Sequence, residues 1–386
     1  AAIGLALLCL FMIVMFRIPG LVATLSLIIY TSLVLFLVSV YDLTLTLPGI
    51  AGIILSIGMA VDANVIIFSR IREEIAAGKT VQSAIKIGFE KALSAIVDGN
   101  ITTLIAALVL GLKGSGTVKG FAITLGLGII LSMFTALFVT RILLNAFYAL
   151  GCKDEKLYGK AKDIKTVDFL SKKAVFFAVS LLVIVAGFVF MGVNKSQTGH
   201  SLNYSLDFMG GTSSTVTFNE DLSIADIDAQ VVPVVEKITG DSNVQTQKVN
   251  DSTQVVIKTR SLTVDEREAF TTAMKEDFGV EEEAITTETI SATVSNEMKS
   301  DAIVSVIIAT LCMLVYIWFR FTDVRFAASA VLALLHDVLV VLAFYAVSKT
   351  SVGNTFIACM LTIVGYSVNS TIVIFDRIRE QLKTTD

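Results

Sequence analysis

One carboxylate lies inside an apolar stretch that occurs twice in this chain. Asp62 is part of Gly58–Glu74, which reads GMAVDANVIIFSRIREE, while Gly365–Gln381 reads GYSVNSTIVIFDRIREQ. The two stretches are identical at eight of seventeen positions and begin 307 residues apart. An ionisable group in a membrane helix indicates ion or proton movement, and duplicated helices are typical of transporters built from repeats. The pair therefore favours ion-coupled transport machinery.

Asp62 is the first candidate for the coupling group. It precedes Arg70 by eight residues, which is about 12 Å of helix. A carboxylate that deep in a bilayer costs about 2.5–3.5 kcal/mol, so we expect it to exchange a proton rather than to stay permanently charged. The alternative is a structural acid that is neutralised by hydrogen bonds between helices, with Asn64 or Asn100 as donors.

Asp98 is the second intramembrane acid of the sequence. Asn100, Thr102 and Thr103 follow it within one and a half turns of a helix. Such residues suit ion coupling, and they equally suit close helix packing with hydrogen bonds across helices. The sequence leaves both roles open.

A third polar site is the adjacent pair His336-Asp337, which lies in another apolar run. This pair could belong to a proton relay, with Asp337 as an ion-coupling acid. A satisfied polar site near the membrane interface is the alternative that we favour. Asn369, the counterpart of Asp62, and the following Ser370 cannot titrate at physiological pH, so only the first copy of the repeat visibly carries a proton site.

The composition identifies the class of protein. Hydrophobic residues make up 54 % of the 386 residues, and the net charge is −4. The mean hydropathy is +0.78. So much apolar surface excludes an ordinary soluble protein and indicates a polytopic α-helical membrane protein. The four cysteines show neither the spacing of a metal site nor a disulfide framework, and we expect no metal, cofactor or nucleic acid to bind.

Hydropathy predicts nine membrane spans, since a helix of about 20 apolar residues crosses a bilayer. They cover residues 1–16, 20–41, 46–69, 92–111, 120–146, 173–193, 302–319, 327–347 and 353–375. Nineteen Lys and Arg residues fall in one set of loops and helix ends, against three in the short loops of the other. The richer side is therefore predicted to be cytoplasmic. The basic amphipathic stretch Arg70–Lys91 is predicted to be a helix on that membrane surface.

The polar segment 194–300 is then predicted to lie outside the cytoplasm as a small α+β domain. Strands are expected at Ser214–Phe218, Asn243–Val249, Gln254–Thr259 and near Ile285–Val294, with helices at Ser223–Ile238 and Thr263–Phe278. This βαββαβ order is typical of a ferredoxin-like fold. The segment shows no catalytic constellation, so the sequence does not indicate an enzyme.

Several long motifs, taken in order, resemble SecDF, the fused form of the bacterial protein-export membrane proteins SecD and SecF in the resistance-nodulation-division superfamily. The SecD-like motifs are GMAVDANV (58–65), DGNITTLIAALVLG (98–111) and GFAITLGLGIILSMFTA (120–136). The SecF-like motifs are LNYSLDFMGGT (202–212), HDVLV (336–340) and GYSVNSTIVIFDRIRE (365–380). The resemblance divides the chain into a SecD-like bundle (1–150), a basic linker (151–172), a first SecF-like helix (173–193), the outer domain (194–300) and further SecF-like helices (301–386).

The resemblance implies a pseudo-symmetric bundle in the bacterial inner membrane that assists the Sec translocase. It implies that the protein uses a proton or sodium gradient, without a cofactor, to promote polypeptide translocation through movement of its outer domains. The implied partners are the SecYEG channel, the translocating preprotein and the lipid bilayer, and possible ones are SecA and YajC/YidC. Asp62 matches the family's aspartate linked to ion flow.

The sequence departs from the family pattern at two of the residues that the resemblance implies. SecF proteins usually carry Asn-Asp where this chain has Asn369-Ser370, and the family's functional arginine falls beyond residue 386. The chain resembles a fragment that also lacks the first SecD helix and its large outer domain. A small-molecule exporter on the same architecture, and a passive scaffold in which Asp62 only packs, remain as alternatives.

Overall fold

The computed structural model describes residues 2–385 except 44, 115, 160–167, 241–243, 250–252 and 322–323. Helices dominate these residues. In chain order they are α1 (Ala2–Phe16), α2 (Ile18–Val40), α3 (Leu47–Ala76), α4 (Val81–Lys113), α5 (Gly116–Phe134), α6 (Thr140–Ala149), α7 (Lys173–Thr198), α8 (Leu206–Met209), α9 (Ile224–Asp226), α10 (Val232–Thr239), α11 (Val264–Phe278), α12 (Ala292–Phe321), α13 (Val324–Ser348) and α14 (Asn354–Thr385).

Eight described helices are long and apolar enough to cross a membrane. These segments are Ile18–Val40, Pro48–Ala76, Val81–Lys113, Val118–Ala149, Lys173–Gln197, Ala292–Arg320, Arg325–Ser348 and Thr355–Leu382. A shorter apolar helix covers Ile3–Phe16. Each of the nine predicted spans coincides with one of these helices, and the prediction of a polytopic α-helical membrane protein is confirmed.

Most spanning helices extend further than hydropathy predicted, because polar ends continue the apolar runs as helix. The prediction of a separate surface helix at Arg70–Lys91 is wrong: α3 continues to Ala76 and α4 begins at Val81. Gly78 adopts φ +84 in the turn between them, a conformation that favours glycine. Thr80 then caps α4 by accepting a hydrogen bond from the Ser83 amide.

The chain divides into two compact units. The first comprises 1–190, 304–344 and 357–386, and the second 191–303 and 345–356. In the first unit α3 packs against α4 and α5, and a π-helical turn at Thr135–Val139 joins α5 to α6. The predicted linker 151–172 begins with residues that belong to this packed core, since Tyr158 is fully buried. Residues 160–167 of that linker lie outside the described residues.

The second unit contains a four-stranded antiparallel sheet in the order β2-β3-β1-β4. The strands are β1 (Gly211–Thr217), β2 (Gln245–Lys248), β3 (Gln254–Thr259) and β4 (Ile285–Ile290). A π-helical turn, Ile227–Val231, joins α9 to α10, and this helical run and α11 complete the predicted ferredoxin-like βαββαβ order. The last strand is shorter than predicted, because α12 begins at Ala292.

The two helical regions of this unit begin as their sequences indicate. Ser223 and Asp226 form one capping box, and Thr263 and Glu266 form the other. Apolar side chains from the sheet and the helices then meet in one core, which includes Val216, Ile227, Val235, Val255, Ile257, Phe270 and Met274. The alternation of buried and partly exposed positions along β1 and β3 fixes which face of each strand the helices cover.

Candidate ion-coupling site

The site is built around a hydrogen bond between the two copies of the repeat. Asn369 on α14 donates from Nδ2 to Oδ2 of Asp62 on α3 at 3.3 Å. These two residues are equivalent positions of the repeat, since they are 307 residues apart. The carboxylate in the middle of the first copy therefore faces its own uncharged counterpart in the second copy.

The same two helices exchange ion pairs near their basic ends. Arg70 lies 3.1 Å from Glu380, and Arg377 lies 3.5 Å from Glu73. Within each helix, Arg70 also contacts Glu73 at 3.1 Å and Arg377 contacts Glu380 at 2.8 Å. We call these four residues the Arg–Glu ring.

The ring is reciprocal in the manner of a two-fold interface. Arg70 is equivalent to Arg377 and Glu73 to Glu380, so each contact has a counterpart with the helices exchanged. A two-fold relation produces such contacts, in which residue i meets j and j meets i. The contact of Asp62 with Asn369 lies on the same pseudo-two-fold relation, and the carboxylate breaks the symmetry of that contact.

A glycine on α4 lets Asn369 take this position. A Cβ atom added to Gly99 would lie 1.8 Å from Oδ1 of Asn369, closer than any side-chain contact permits. Near this contact, a Cβ on Gly365 would lie 3.1 Å from the Thr103 side chain. Small residues at these points allow α14 to approach α4 closely, as small residues do in membrane helix packing.

Two cavities lie in this region, and Asp62 lines the smaller one. A small one of about 10 Å³ is lined by Met59, Asp62, Ala63, Ile66, Ile96, Asn100 and Asn369. A larger one of about 630 Å³ contains all four ring residues together with Ser69, Ser94, Arg320 and Asp376. We call the larger cavity the vestibule. Ile66 lines both cavities, so it borders the small cavity that contains Asp62 and also the charged vestibule.

If Asp62 is a structural acid, the alternative left open by the sequence, Asn64 or Asn100 would be its donor; the structure gives that role to Asn369. Asn64 is buried and donates to the Ala60 carbonyl at 3.1 Å, while its Oδ1 accepts from Thr140 at 2.9 Å. Asn100 donates to the carbonyl of Ile96, one turn earlier on its own helix, at 2.7 Å. The Nδ2 of each of these amides bonds a backbone carbonyl of its own helix.

The two threonines of the Asp98 motif make bonds within their own helix. The Thr102 hydroxyl donates to the Gly99 carbonyl at 2.7 Å, and the Thr103 hydroxyl donates to the same carbonyl at 3.2 Å. Both side chains are buried. Their polar groups are thus satisfied locally, and the bulk of Thr103 faces Gly365.

Asp98 forms a separate charged cluster with α12. It accepts from the Tyr316 hydroxyl at 2.7 Å and from Nε of Arg320 at 2.7 Å. The Asp98 side chain is 7 % exposed and that of Arg320 is 31 % exposed, so the carboxylate of the pair is the part removed from solvent. Ser94 lies between this pair and a further acid, because its hydroxyl is 3.4 Å from Asp98 and 3.2 Å from Asp376.

Sequence reasoning missed the partners of Asp98. It counted Arg320 only as a charge at a helix end, although Tyr316 precedes it by one turn and shares its face. It also passed over Asp376, where the first copy of the repeat has Ser69. A search for intramembrane charges of opposite sign would have paired Arg320 with one of the acids, but it could not have chosen which.

The pair His336-Asp337 lies apart from these contacts. Nδ1 of His336 is 2.9 Å from Asp337, and the hydroxyl of Ser367 on α14 donates to the same carboxylate at 2.5 Å. The two side chains are 43 % and 40 % exposed. Ser370 is exposed and donates to the Tyr366 carbonyl of its own helix at 3.4 Å, so it does not join Asp62.

Charge rather than metal chemistry characterises the site. Among the described residues, no group of three or more His, Cys, Asp or Glu side chains could hold a metal ion. The site at Asp62 is neutral when the carboxyl is protonated and carries one negative charge when it is ionised, because its amide partner is uncharged. Asp98 with Arg320, and the Arg–Glu ring, are internally neutralised pairs.

Comparison with known proteins agrees with this architecture. The chain is 35 % identical over 403 residues to the protein translocase subunit SecDF of Bacillus subtilis, which covers 99 % of this chain and 52 % of that protein. A stretch of 145 residues is 57 % identical to the protein translocase subunit SecD of Acidaminococcus fermentans, covering 38 % of this chain and 35 % of the relative. The chain thus spans about half the length of the full-length SecDF relative it matches.

Solved structures give the same result. A crystal structure of SecDF from Thermus thermophilus, described as a translocon-associated membrane protein, superposes with a TM-score of 0.87 at 31 % identity. It covers 99 % of this chain and 51 % of that chain. A SecDF structure in a super-membrane-facing form gives a TM-score of 0.71 at the same identity. The family described as "Protein export membrane protein SecD/SecF, C-terminal" matches residues 1–149 and 270–386, and the chain belongs to this family.

Proposed function

We propose that this chain is the membrane motor part of an accessory subunit of the Sec translocase, and that it uses a proton or sodium gradient to promote polypeptide export. The observation that carries the proposal is Asp62 held against Asn369 at the contact of the two repeat helices. A titratable group at that contact can change how the two helices pack when its charge changes. The relatives' names, protein translocase subunits SecDF and SecD, supply the process that such a movement would serve.

The vestibule supports an ion route to one membrane face. It opens among Arg70, Arg377 and other basic residues, on the side that the excess of lysine and arginine assigns to the cytoplasm. The second unit, with its ferredoxin-like domain, would then lie outside the cytoplasm. Ions would pass between Asp62 and the vestibule at Ile66, which borders both cavities.

The available driving force is adequate for such a switch. Moving one elementary charge through the membrane potential supplies about 2.3 kcal/mol per 100 mV. The switch requires two packings of the bundle that differ in their affinity for the ion at Asp62. Its output would be movement of the second unit, which would pull on a preprotein as it leaves the SecYEG channel.

The test is completion of export by the full-length protein. With the SecYEG channel in inverted membrane vesicles, a secretory preprotein is stalled midway, and its completion is measured with and without a proton gradient. Asp62→Asn removes the charge and keeps the shape, so we expect gradient-dependent completion to be lost. Asp42→Asn is the matched control, because Asp42 lies exposed in a turn after α2 at φ 48, where asparagine is also tolerated.

Three results separate the alternatives. Loss of gradient dependence in Asp62→Asn alone supports the motor. Equal behaviour of the parent and Asp62→Asn with a proton gradient, but a difference with a sodium gradient, assigns sodium as the ion. Equal behaviour with both gradients means that the protein is a scaffold and that Asp62 only packs.

A further inference from the structure

A buried acceptor beside Asp62 has no partner among the described residues. Asn100 is 6 % exposed, and its Nδ2 donates to the Ile96 carbonyl. That bond fixes the orientation of the amide, because the reversed amide would place oxygen against oxygen. Its Oδ1 is buried and, among the residues that the structure describes, receives no hydrogen bond. Leaving such an acceptor unsatisfied costs about 1–3 kcal/mol.

Asn100 also lines the small cavity that Asp62 and Asn369 share. The cavity volume of about 10 Å³ is close to the least that holds one water molecule, and it is too small for a hydrated cation. The other four lining residues, Met59, Ala63, Ile66 and Ile96, are apolar. Among the described residues that line the cavity, the polar side chains are therefore the carboxylate and the two amides.

The carboxylate has bonding capacity to spare. Asn369 reaches only Oδ2 of Asp62, at 3.3 Å, and a carboxylate accepts up to about four hydrogen bonds. One water could donate one hydrogen to Oδ1 of Asn100 and the other to Asp62. Two or more polar partners of this kind are typical of buried water.

We propose that this cavity binds a single water molecule and that Asn100 is the positioning residue that holds it against Asp62. The inference rests on the proposed function, in which Asp62 is the coupling group. The water can donate to the charged carboxylate and accept from the protonated one while it continues to donate to Asn100. It therefore remains bound in both states, and it gives the carboxyl a hydrogen-bonding neighbour on the side of Ile66.

Infrared difference spectroscopy of the full-length protein in lipid vesicles tests this. Spectra are recorded across a pH titration, and the carboxyl C=O band of Asp62 is assigned by its loss in Asp62→Asn. We expect a water O–H band that appears with the same titration and shifts when the solvent contains ¹⁸O water. Asn100→Leu, which removes the acceptor at similar size, should abolish the water band and shift the Asp62 C=O band to higher frequency.

Thr102→Val is the matched control, since Thr102 lies on the same helix and its hydroxyl donates to the Gly99 carbonyl of that helix. It should leave both bands in place. A water band that survives Asn100→Leu, or a parent protein without an ¹⁸O-sensitive band, overturns the inference. A band that responds to sodium instead of to ¹⁸O water also overturns it, because the cavity then holds a cation.

The result remains decisive if Asn100→Leu does not assemble, because the parent spectrum alone shows whether such a water titrates with Asp62. Failure of this inference is also distinct from failure of the proposed function. If the Asp62 band titrates but no water band is seen, the bound water is ruled out and Asp62 remains the titrating group. A titration in which Asp62→Asn loses no band shows that Asp62 does not titrate, and it rules out a proton-driven motor at this residue.

Discussion

The two repeat helices differ in the middle of their spans far more than at their ends. At the basic ends α3 and α14 contribute the same residues, and Arg70, Glu73, Arg377 and Glu380 form a reciprocal ring. In the middle, a carboxylate of α3 meets a carboxamide of α14. The shared ends hold the helices in a symmetric relation, and the unequal middle confines a charge change to one partner. A duplicated scaffold can therefore contain one titratable centre without charge repulsion across its axis.

The largest effect should come from exchanging the unequal pair. Asp62→Asn alone is expected to abolish gradient-dependent export. Combining it with Asn369→Asp keeps one carboxyl bonded to one amide at the contact, with donor and acceptor exchanged. We expect the double variant to recover a rate within about tenfold of the parent, which corresponds to about 1.4 kcal/mol in the barrier. The stalled-preprotein assay measures both.

The opposite result would also be informative. If the double variant is as inactive as the single one, the carboxyl must be on α3 and not on α14. The surroundings of α3, rather than the contact itself, then determine coupling. Asn369→Asp alone is the control that places two acids together. Its like charges should oppose each other, so it should not exceed the parent.

The next test removes the close approach that lets the repeats meet. Gly99→Ala places a methyl group where Oδ1 of Asn369 lies, so α14 must move away from α4. Overpacking of this kind costs about 1–3 kcal/mol, and we expect thermal unfolding in detergent at a lower temperature. Gly58→Ala is matched, because a Cβ there meets nothing within 4 Å. Equal melting of the two variants would show that the tight contact is not needed.

A smaller effect probes the symmetry of the ring. Glu73→Gln and Glu380→Gln remove equivalent charges, and each should cost about 0.2–1 kcal/mol of unfolding free energy, as partly exposed ion pairs do. Glu380→Gln should cost slightly more, since Glu380 also lies 3.4 Å from Lys91. Both costs should shrink at high salt. Unfolding at two ionic strengths measures them, and strongly unequal costs would contradict a symmetric ring.

The smallest expected effect concerns an exposed ion pair of the second unit, whose contribution to stability can be compared with that of the ring. Arg260 lies 3.0 Å from Glu266 and, with the Thr263 amide, holds the pKa of Glu266 at about 2, below its usual 4.5. Because the folded-state pKa is lowered, this pair stabilises the fold fully above pH 4.5 and loses its contribution as the pH falls towards 2. Glu266→Gln should therefore reduce acid sensitivity in that window.

Circular dichroism melting of the chain against pH measures this loss. Glu268→Gln, at an exposed position of the same helix, should leave the acid sensitivity unchanged. If the two variants behave alike, the exposed pair of the second unit contributes nothing to acid stability.

Local patterns in the sequence determined much of this molecule. Each predicted span coincides with a helix, because the hydropathy of about 20 consecutive residues is a property of that segment alone. The capping boxes at Ser223 and Thr263 and the alternation in β1 likewise depend on neighbours a few residues away. The repeat itself also marked Asp62 and Asn369 as equivalent before any contact was known.

The tertiary structure alone decided which side chains meet. Asp62 bonds Asn369 rather than Asn64 or Asn100, a contact across 307 residues, and Asp98 pairs with Arg320 on another helix. Such pairs depend on helix packing, which Gly99 sets by allowing α14 to approach, and no local pattern reports that distance. Apolar periodicity also could not mark the end of α3 at Ala76, because charged residues continue a helix as readily as they leave one. Local sequence therefore determined where most helices and strands form, and packing between distant segments determined the partner of each charged side chain.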